Sequence, residues 1–397
     1  MINITRLYCG IGTSGDALRY GKASEGVREQ PFHAPKSVEE RRPIVVWNMT
    51  RRCNLDCIHC YANAENKDYP NELSHNDAQE MIRDLAEFGA PVILFSGGEP
   101  LVREDIYEHA ALAKELGMRP VISTNGTLII DRVAHRIKEA GFDYVGISLD
   151  GIGERNDFFR GKQGAFEAAM RGFDNCVDIG QKVGLRLTLT RHNYAELDAI
   201  FDFIEEHQIP RACFYHLVYA GRGSDLRKDD LTHEESRQAV DLIIDRTADL
   251  HQRGVNVDIL TVDNHCDGPY LYMRMLREGN PRAEEVMKLL KWNGGNSSGV
   301  GIADVDNEGN VHADQFWWYH SFGNVRERKF SEIWVDTSDP LMAGLKNRKP
   351  LLKGRCAGCK WLDICNGNFR VRAEAVYDDV WAPDPACYLT DAEIGLE

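Results

Sequence analysis

The stretch RRCNLDCIHCYA at residues 51–62 places three cysteines, Cys53, Cys57 and Cys60, within eight residues. Thiolates at such close spacing bind zinc or the irons of an iron–sulfur cluster. A structural zinc ion takes four ligands, so a zinc site here would need a distant fourth ligand. His59 lies between two of the cysteines on a tight loop, where its ring is expected to point away. The stretch therefore predicts a metal centre for which it supplies three ligands and leaves at least one position open.

A second group of cysteines lies near the carboxyl terminus, in RCAGCKWLDICNGN and DPACYL: Cys356, Cys359, Cys365 and Cys387. Four thiolates can complete either an iron–sulfur cluster or a zinc site, and their spacing does not choose between them. In a reducing compartment, an odd total of eleven cysteines, seven of them in these two groups, indicates metal ligation rather than disulfides. Of the others, Cys176 and Cys213 have apolar neighbours and are expected to be buried and inert. Cys9 and Cys266 are left unassigned by their context.

Composition narrows the class of protein. The 397 residues carry a formal charge of −15, with 43% apolar and 27% charged residues, as in a soluble globular protein. The acidic balance argues against nucleic acid as a partner. No stretch reaches the roughly 20 apolar residues of a membrane span, and the initial MINITRLYCG lacks an apolar signal core. We therefore expect a cytoplasmic protein with neither nucleic-acid nor membrane partners.

Six strand-then-helix units surround the first cysteine group. The hydrophobic patterns predict strands at 43–49, 92–97, 120–126, 144–150, 183–190 and 212–219, each followed by a helix, the last at about 233–252. Strict alternation implies an α/β fold with a parallel sheet, and six units indicate a partial (β/α)6 TIM barrel. We expect a lead segment at 1–42, the barrel at 43–255, a linker and hairpin region at 256–325, and a domain at 326–397 that holds the second cysteine group.

The carboxyl ends of these strands carry small and polar residues. The second strand ends in SGGEP, the third in STNG and the fourth in SLDG. Gly97 and Gly98 let the backbone approach a ligand closely, Glu99 offers a carboxylate to an ammonium group, and Ser148 and Asp150 offer hydrogen bonds to a ribose. Each segment alone is typical of a turn. Because parallel strands end at one rim, together with the thiolates they indicate a binding site.

The CxxxCxxC spacing after the first strand resembles that of the radical S-adenosylmethionine (SAM) superfamily. The resemblance implies a [4Fe-4S] cluster held by Cys53, Cys57 and Cys60, with SAM on the fourth iron, and cleavage of SAM to a 5′-deoxyadenosyl radical. It also implies recharging by a low-potential donor of the ferredoxin or flavodoxin type. The SAM contacts that it implies are Tyr61, Gly97, Gly98, Glu99, Asn125, Ser148, Asp150 and Leu189.

The second cysteine group resembles the SPASM or twitch-type extension of radical SAM enzymes, which carries auxiliary clusters. Phe369 stands where a fuller SPASM pattern has a further cysteine, and the predicted hairpin SSGVGIADVDNEGNVHADQF has none. The resemblance therefore implies one auxiliary [4Fe-4S] cluster with four cysteine ligands, Cys356, Cys359, Cys365 and Cys387.

Charge and aromatic residues suggest the substrate. Residues 326–372 contain eleven Lys or Arg against five Asp or Glu, which is a basic stretch in an acidic chain. Arginine binds carboxylates bidentately, and aromatic and histidine side chains suit a planar iron macrocycle. For most of these basic residues a solvated face is the safer interpretation. The candidate substrate contacts are His216, Tyr219, Arg222, Trp317, Trp318, His320, Arg326 and Arg328.

Longer segments, among them LIIDRVAHRIKEAGFDYVGISLDGIG and FWWYHSFGNVRERKFSEIW, resemble the branch of the superfamily that modifies side chains of siroheme-derived iron porphyrinoids. The resemblance implies removal of acetates from 12,18-didecarboxysiroheme to give Fe-coproporphyrin III. Propionate removal in heme d1 biosynthesis is the alternative within that branch. Two other classes stay open, a peptide-modifying radical SAM enzyme and a non-enzymatic zinc or electron-transfer module.

Overall fold

A computed structural model describes residues 1–21 and 40–396, so residues 22–39 of the expected lead segment lie outside it. The described residues form one ten-stranded sheet, in the order β1-β8-β7-β6-β5-β4-β3-β2-β9-β10. The strands are β1 (Ile2–Asn3), β2 (Ile44–Asn48), β3 (Val92–Ser96), β4 (Arg119–Thr124), β5 (Tyr144–Ser148), β6 (Val183–Leu189), β7 (Arg211–His216), β8 (Asp258–Val262), β9 (Ile302–Val305) and β10 (Val311–His312).

Neighbouring strands from β2 to β7 pair in parallel, with at least one helix between each pair along the chain. The predicted six-unit alternation is confirmed.

None of the helices in the described ranges is both long enough and apolar enough to cross a bilayer. The helices are α1 (Asp16–Tyr20), α2 (His75–Phe88), α3 (Ile106–Glu115), α4 (Asp131–Glu139), α5 (Glu154–Arg160), α6 (Ala165–Asp178), α7 (Leu197–Glu206), α8 (His233–Gln252), α9 (Asp267–Arg277), α10 (Ala283–Asn293), α11 (Phe330–Val335), α12 (Pro340–Lys346), α13 (Gly354–Ala357), α14 (Leu362–Cys365), α15 (Arg370–Tyr377) and α16 (Asp391–Ile394).

Helix α2 shows why the local sequence suffices for such an element. Ser74 accepts a hydrogen bond from the backbone N–H of Asp77, and the Asp77 carboxylate accepts one from the backbone N–H of Ser74. This capping box satisfies backbone donors that the helix cannot satisfy itself. Met81 and Leu85 lie on the buried face, and Gly89 ends the helix with a left-handed φ of 88°.

The sheet continues beyond the six predicted strands. β8 pairs in parallel with β7, and β9 pairs in parallel with β2. The short strands β1 and β10 lie at the two edges, each paired antiparallel to a single neighbour, so the sheet remains open. All five residues of β8 are buried. The β9–β10 hairpin agrees with the expected hairpin, whereas no pattern predicted that it would extend the barrel sheet.

Eight of the eleven Lys and Arg residues at 326–372 are exposed or half-buried, as expected of a solvated face, whereas three arginines are buried. Arg348, Arg370 and Arg372 are only 2%, 0% and 0% exposed. Arg370 donates to the carbonyls of Val380 and Ala382, at 3.1 and 2.6 Å. Helices here are short, so many loop carbonyls need donors from side chains, and a guanidinium supplies five N–H groups. These arginines stabilise the fold of the carboxyl-terminal region.

Arg372→Met is expected to destabilise the fold by about 3–5 kcal/mol, because it leaves the Asp384 carboxylate buried without its cation. Arg372 and Asp384 form a fully buried ion pair at 2.9 Å. Urea unfolding, followed by circular dichroism, measures the loss. Arg253→Met is the matched control, since Arg253 pairs with Glu205 and Asp249 on the exposed surface. Equal shifts of the two midpoints would contradict the prediction.

Candidate active site

An open cavity lies at the carboxyl ends of the parallel strands. All three cysteines of the first group line it, as do residues from the ends of β3 to β7. Small residues, most of them polar, form part of the rim: Ser96, Gly97, Gly98, Ser123, Thr124, Asn125, Ser148 and Thr188. The structure therefore brings the thiols and most of the predicted SAM contacts to a single site.

The loop with the three cysteines leaves β2 and lies directly against the glycine segment after β3. Gly98 donates its N–H to the carbonyl of Thr50 at 2.7 Å, and Glu99 donates to the carbonyl of Arg52 at 2.9 Å. A Cβ on Gly97 would lie 2.3 Å from the Thr50 oxygen, and one on Gly98 would lie 2.4 Å from the Arg52 oxygen. The glycines are thus required first for the close approach of two protein segments.

Gly98→Ala is expected to displace the cysteine loop and to reduce iron incorporation at the first site. Overpacking at a contact with backbone costs about 1–3 kcal/mol. Iron analysis after anaerobic reconstitution and the thermal midpoint measure the two effects. Gly12→Ala is the control, because a Cβ there would have no neighbour within 4 Å. Full iron content in Gly98→Ala would show that the contact does not position the loop.

Two further elements hold the cysteine loop. The carboxyl end of α5 accepts its N–H groups, from Asp56 to the Arg160 carbonyl at 3.2 Å and from Ile58 to the Phe159 carbonyl at 3.0 Å. Arg222, after β7, donates through Nε to the Cys57 carbonyl at 2.8 Å. Its backbone N–H donates to the Cys60 carbonyl at 2.9 Å. The loop is therefore fixed from three sides by protein contacts alone.

A buried charged network lies beside Cys57. Asp150 forms ion pairs with Arg160 and with His59, whose Nε2 lies 3.2 Å from the carboxylate. Burial alone would raise the pKa of Asp150, but the Arg160 guanidinium and the His59 ring hold that pKa below its usual range. Arg160 Nη1 also lies 3.6 Å from Cys57 Sγ, which places positive charge beside a thiol expected to bind metal as the thiolate. Sequence reasoning assigned Asp150 to a ribose and missed this network.

Glu99 is fully buried, and its carboxylate is used within the protein. It accepts hydrogen bonds from the Leu101 N–H at 3.0 Å, from Thr124 Oγ1 at 2.7 Å and from the Asn125 N–H at 2.8 Å. Burial raises the pKa of Glu99 to about 7. Glu99 is not among the residues lining the cavity, so its predicted contact with an ammonium group stays a prediction.

The remaining predicted SAM contacts divide into two sets. Tyr61 lines the cavity and donates its hydroxyl to Asn48 Oδ1 at 2.9 Å, with its ring edge-on to Phe316. Asn125 lines the cavity and donates to Asn54 Oδ1 at 2.8 Å. Leu189 is instead 1% exposed in the hydrophobic core, and Thr188 on the same strand faces the cavity.

A second, smaller cavity collects all four cysteines of the carboxyl-terminal group, and none of its lining residues lines the first cavity. Cys356 lies in α13, Cys365 ends α14, and Cys387 precedes α16. A fifth thiol, Cys266, lines the same cavity and is fully buried. Sequence spacing gave no sign of Cys266, because it lies 90 residues before Cys356.

The spacing of the thiols distinguishes a cluster from a single ion. A tetrahedral zinc with bonds of about 2.3 Å places its sulfur atoms about 3.8 Å apart. Within residues 1–21 and 40–396, the only three ligand atoms that lie mutually within 4.8 Å belong to His75, Asp105 and His109. Neither cysteine group has single-ion spacing, whereas a four-iron cluster holds its thiolates further apart. Both groups therefore fit a cluster better than zinc.

The predicted substrate contacts do not all meet. His216 and Arg222 line the first cavity, and Tyr219 lines a neighbouring cavity that shares His216. The other candidates, absent from both linings, bond within the fold: Trp317 and His320 to Glu374, Trp318 to the Gln315 carbonyl, Arg326 to the carbonyls of Glu308 and Asn71, and Arg328 to Asp336. Their role as substrate contacts stays a prediction.

Comparisons with known proteins agree with this geometry. The Radical SAM superfamily profile matches residues 47–204. The chain is 62% identical to Fe-coproporphyrin III synthase of Methanosarcina barkeri over 398 residues, covering 100% of this chain and 99% of the synthase. It is 43% identical to pre-heme d1 synthase of Dinoroseobacter shibae, covering 89% and 88%. Streptococcus suis SuiB bound to precursor peptide SuiA shares the fold, with a TM-score of 0.70, 19% identity, and coverage of 87% and 76%. The chain therefore belongs to the radical SAM superfamily.

Proposed function

We propose that this radical SAM enzyme removes acetate side chains from 12,18-didecarboxysiroheme to give Fe-coproporphyrin III. The observation that carries the proposal is the 62% identity to Fe-coproporphyrin III synthase along the whole of both chains. The 43% identity to pre-heme d1 synthase favours propionate removal less strongly. The likeness to the peptide-bound SuiB structure is a likeness of fold only, so it gives no support to peptide modification.

The first cavity supplies the residues that this chemistry needs. Cys53, Cys57 and Cys60 hold the [4Fe-4S] cluster of the superfamily, on a loop that protein contacts already fix. When bound, the cluster and SAM supply a 5′-deoxyadenosyl radical for hydrogen abstraction. The rim from Ser96 to Gly98, with Asn125 and Ser148, offers hydrogen bonds that orient SAM, and the surrounding walls limit the access of water.

The second cavity is proposed to hold one auxiliary [4Fe-4S] cluster, with Cys356, Cys359, Cys365 and Cys387 as its ligands. A buried arginine connects this cavity to the first. Arg372 donates to Asp384, whose backbone carbonyl accepts from the Cys387 N–H at 3.1 Å. The same guanidinium donates to the carbonyls of Leu217 and Asp263, which line the first cavity. The two cavities are thus joined through one buried side chain, and we propose that electrons pass between the auxiliary cluster and the substrate site.

Anaerobic turnover tests the proposal. The reconstituted chain is incubated with SAM, 12,18-didecarboxysiroheme and a reduced ferredoxin or flavodoxin, the class of cytoplasmic donor that we propose for it. Mass spectrometry should find Fe-coproporphyrin III together with 5′-deoxyadenosine. A product that has lost propionates and kept its acetates would show that the chain catalyses propionate removal, the alternative reaction, instead. Formation of 5′-deoxyadenosine without any change in the porphyrinoid would overturn the substrate assignment.

A further inference from the structure

Arg186, on β6, is a half-buried cation in the wall of the first cavity. Its Nη1 donates to Ser123 Oγ at 2.5 Å, and its guanidinium lies 4.9 Å from the ring centre of Tyr215. The neighbouring strand makes room for its stem, because a Cβ on Gly146 would lie 2.9 Å from Arg186 Cδ. Three strands therefore fix the position of this side chain.

Arg186 differs from the other cationic and histidine side chains of the cavity. Each of the others faces a carboxylate of the protein: Arg160 and His59 face Asp150, Arg222 faces Asp56, and His216 faces Asp267. Within residues 1–21 and 40–396, Arg186 has no carboxylate within the 4.0 Å of an ion pair, although Asp263 lines the same cavity. A half-buried guanidinium with one neutral acceptor, Ser123 Oγ, retains N–H groups and charge for a ligand in the cavity.

We propose that Arg186 binds a carboxylate side chain of the substrate; this inference rests on the proposed function. Guanidinium groups hold carboxylates through paired, charge-assisted hydrogen bonds. Two ligands could bring a carboxylate into the cavity, SAM and the porphyrinoid. The porphyrinoid carries several carboxylates, and Tyr215 beside Arg186 offers an aromatic face next to a flat macrocycle. We therefore assign Arg186 to the porphyrinoid.

Binding titrations of the reconstituted chain test the assignment, with iron coproporphyrin III and its tetramethyl ester as probes. Arg186→Gln should raise the Kd of the acid about tenfold or more and leave the Kd of SAM unchanged. Wild type should prefer the acid to the ester, whereas Arg186→Gln should bind both alike. Arg186→Lys, which keeps the charge, should recover part of the affinity. Iron content equal to that of wild type shows that the variants retain the first site.

Three results overturn the assignment while leaving the proposed function intact. An unchanged Kd for the acid in Arg186→Gln shows that the side chain does not contact the macrocycle. A raised Kd for SAM alone assigns Arg186 to the SAM carboxylate. Equal loss of affinity for acid and ester shows a general distortion of the cavity. If wild type binds neither probe nor 12,18-didecarboxysiroheme, the proposed function itself fails.

Discussion

Cys57→Ala is expected to abolish the cleavage of SAM to 5′-deoxyadenosine. In the proposed assignment the three thiols of the first cavity would hold a cluster that lacks a fourth protein ligand, so the loss of one would leave only two. Cys57 also lies against Arg160, and its carbonyl accepts a hydrogen bond from Arg222 Nε. Anaerobic turnover with dithionite, followed by chromatography, measures the nucleoside, and iron analysis measures the cluster.

Cys9→Ala is the control for this experiment. Cys9 is a half-buried thiol that lines neither cysteine cavity, so its removal should leave both iron content and SAM cleavage unchanged. Nucleoside formation by Cys57→Ala at the wild-type rate would show that the first cavity does not hold the cluster that cleaves SAM. The assignment of all three thiols would then be wrong.

Cys359→Ala is expected to retain SAM cleavage and to lose formation of Fe-coproporphyrin III. The two cysteine cavities share no lining residue, so damage to the second leaves the first intact. With one ligand removed, the proposed auxiliary cluster would be incomplete and could not exchange electrons with the substrate site. The measurements are 5′-deoxyadenosine and porphyrin product in the same reaction, with electron paramagnetic resonance of the reduced clusters.

Cys266→Ser tests which thiols ligate the auxiliary cluster. Cys266 lines the same cavity but is not among the four proposed ligands, so this variant should keep both iron content and product formation. If Cys266→Ser lost iron while Cys359→Ala kept its full iron content, Cys266 rather than Cys359 would be the fourth ligand. Full product formation by Cys359→Ala would reduce the second site to a structural role.

Most of the strands and helices could be predicted from residues that lie close to them in the sequence. The strand before the first cysteines, the capping box at Ser74 and the glycine stop at Gly89 each lie within a few residues of the element that they define. The strand-end segments could be placed at one rim because parallel strands must end together. By contrast, β8 and β9 join the sheet through partners far along the chain, which no short pattern reveals.

The contacts of the charged residues in the site could not be predicted from the sequence. Arg372 lies in the basic stretch, but the carbonyls that it binds belong to Leu217 and Asp263, more than 100 residues away. Arg186 is a single arginine in an ordinary strand, and only the folded chain shows that no carboxylate of the described residues forms an ion pair with it. Glu99 resembles a ligand contact by type and position, yet the structure directs three protein donors to it. Pairing over such distances requires the folded chain.

Hydrogen bonds from Gly98, from α5 and from Arg222 join the cysteine loop to three other segments of the protein. Because these bonds run between protein groups, we expect them to persist when oxygen has destroyed the cluster. The oxidised protein should then accept fresh iron and sulfide without first unfolding.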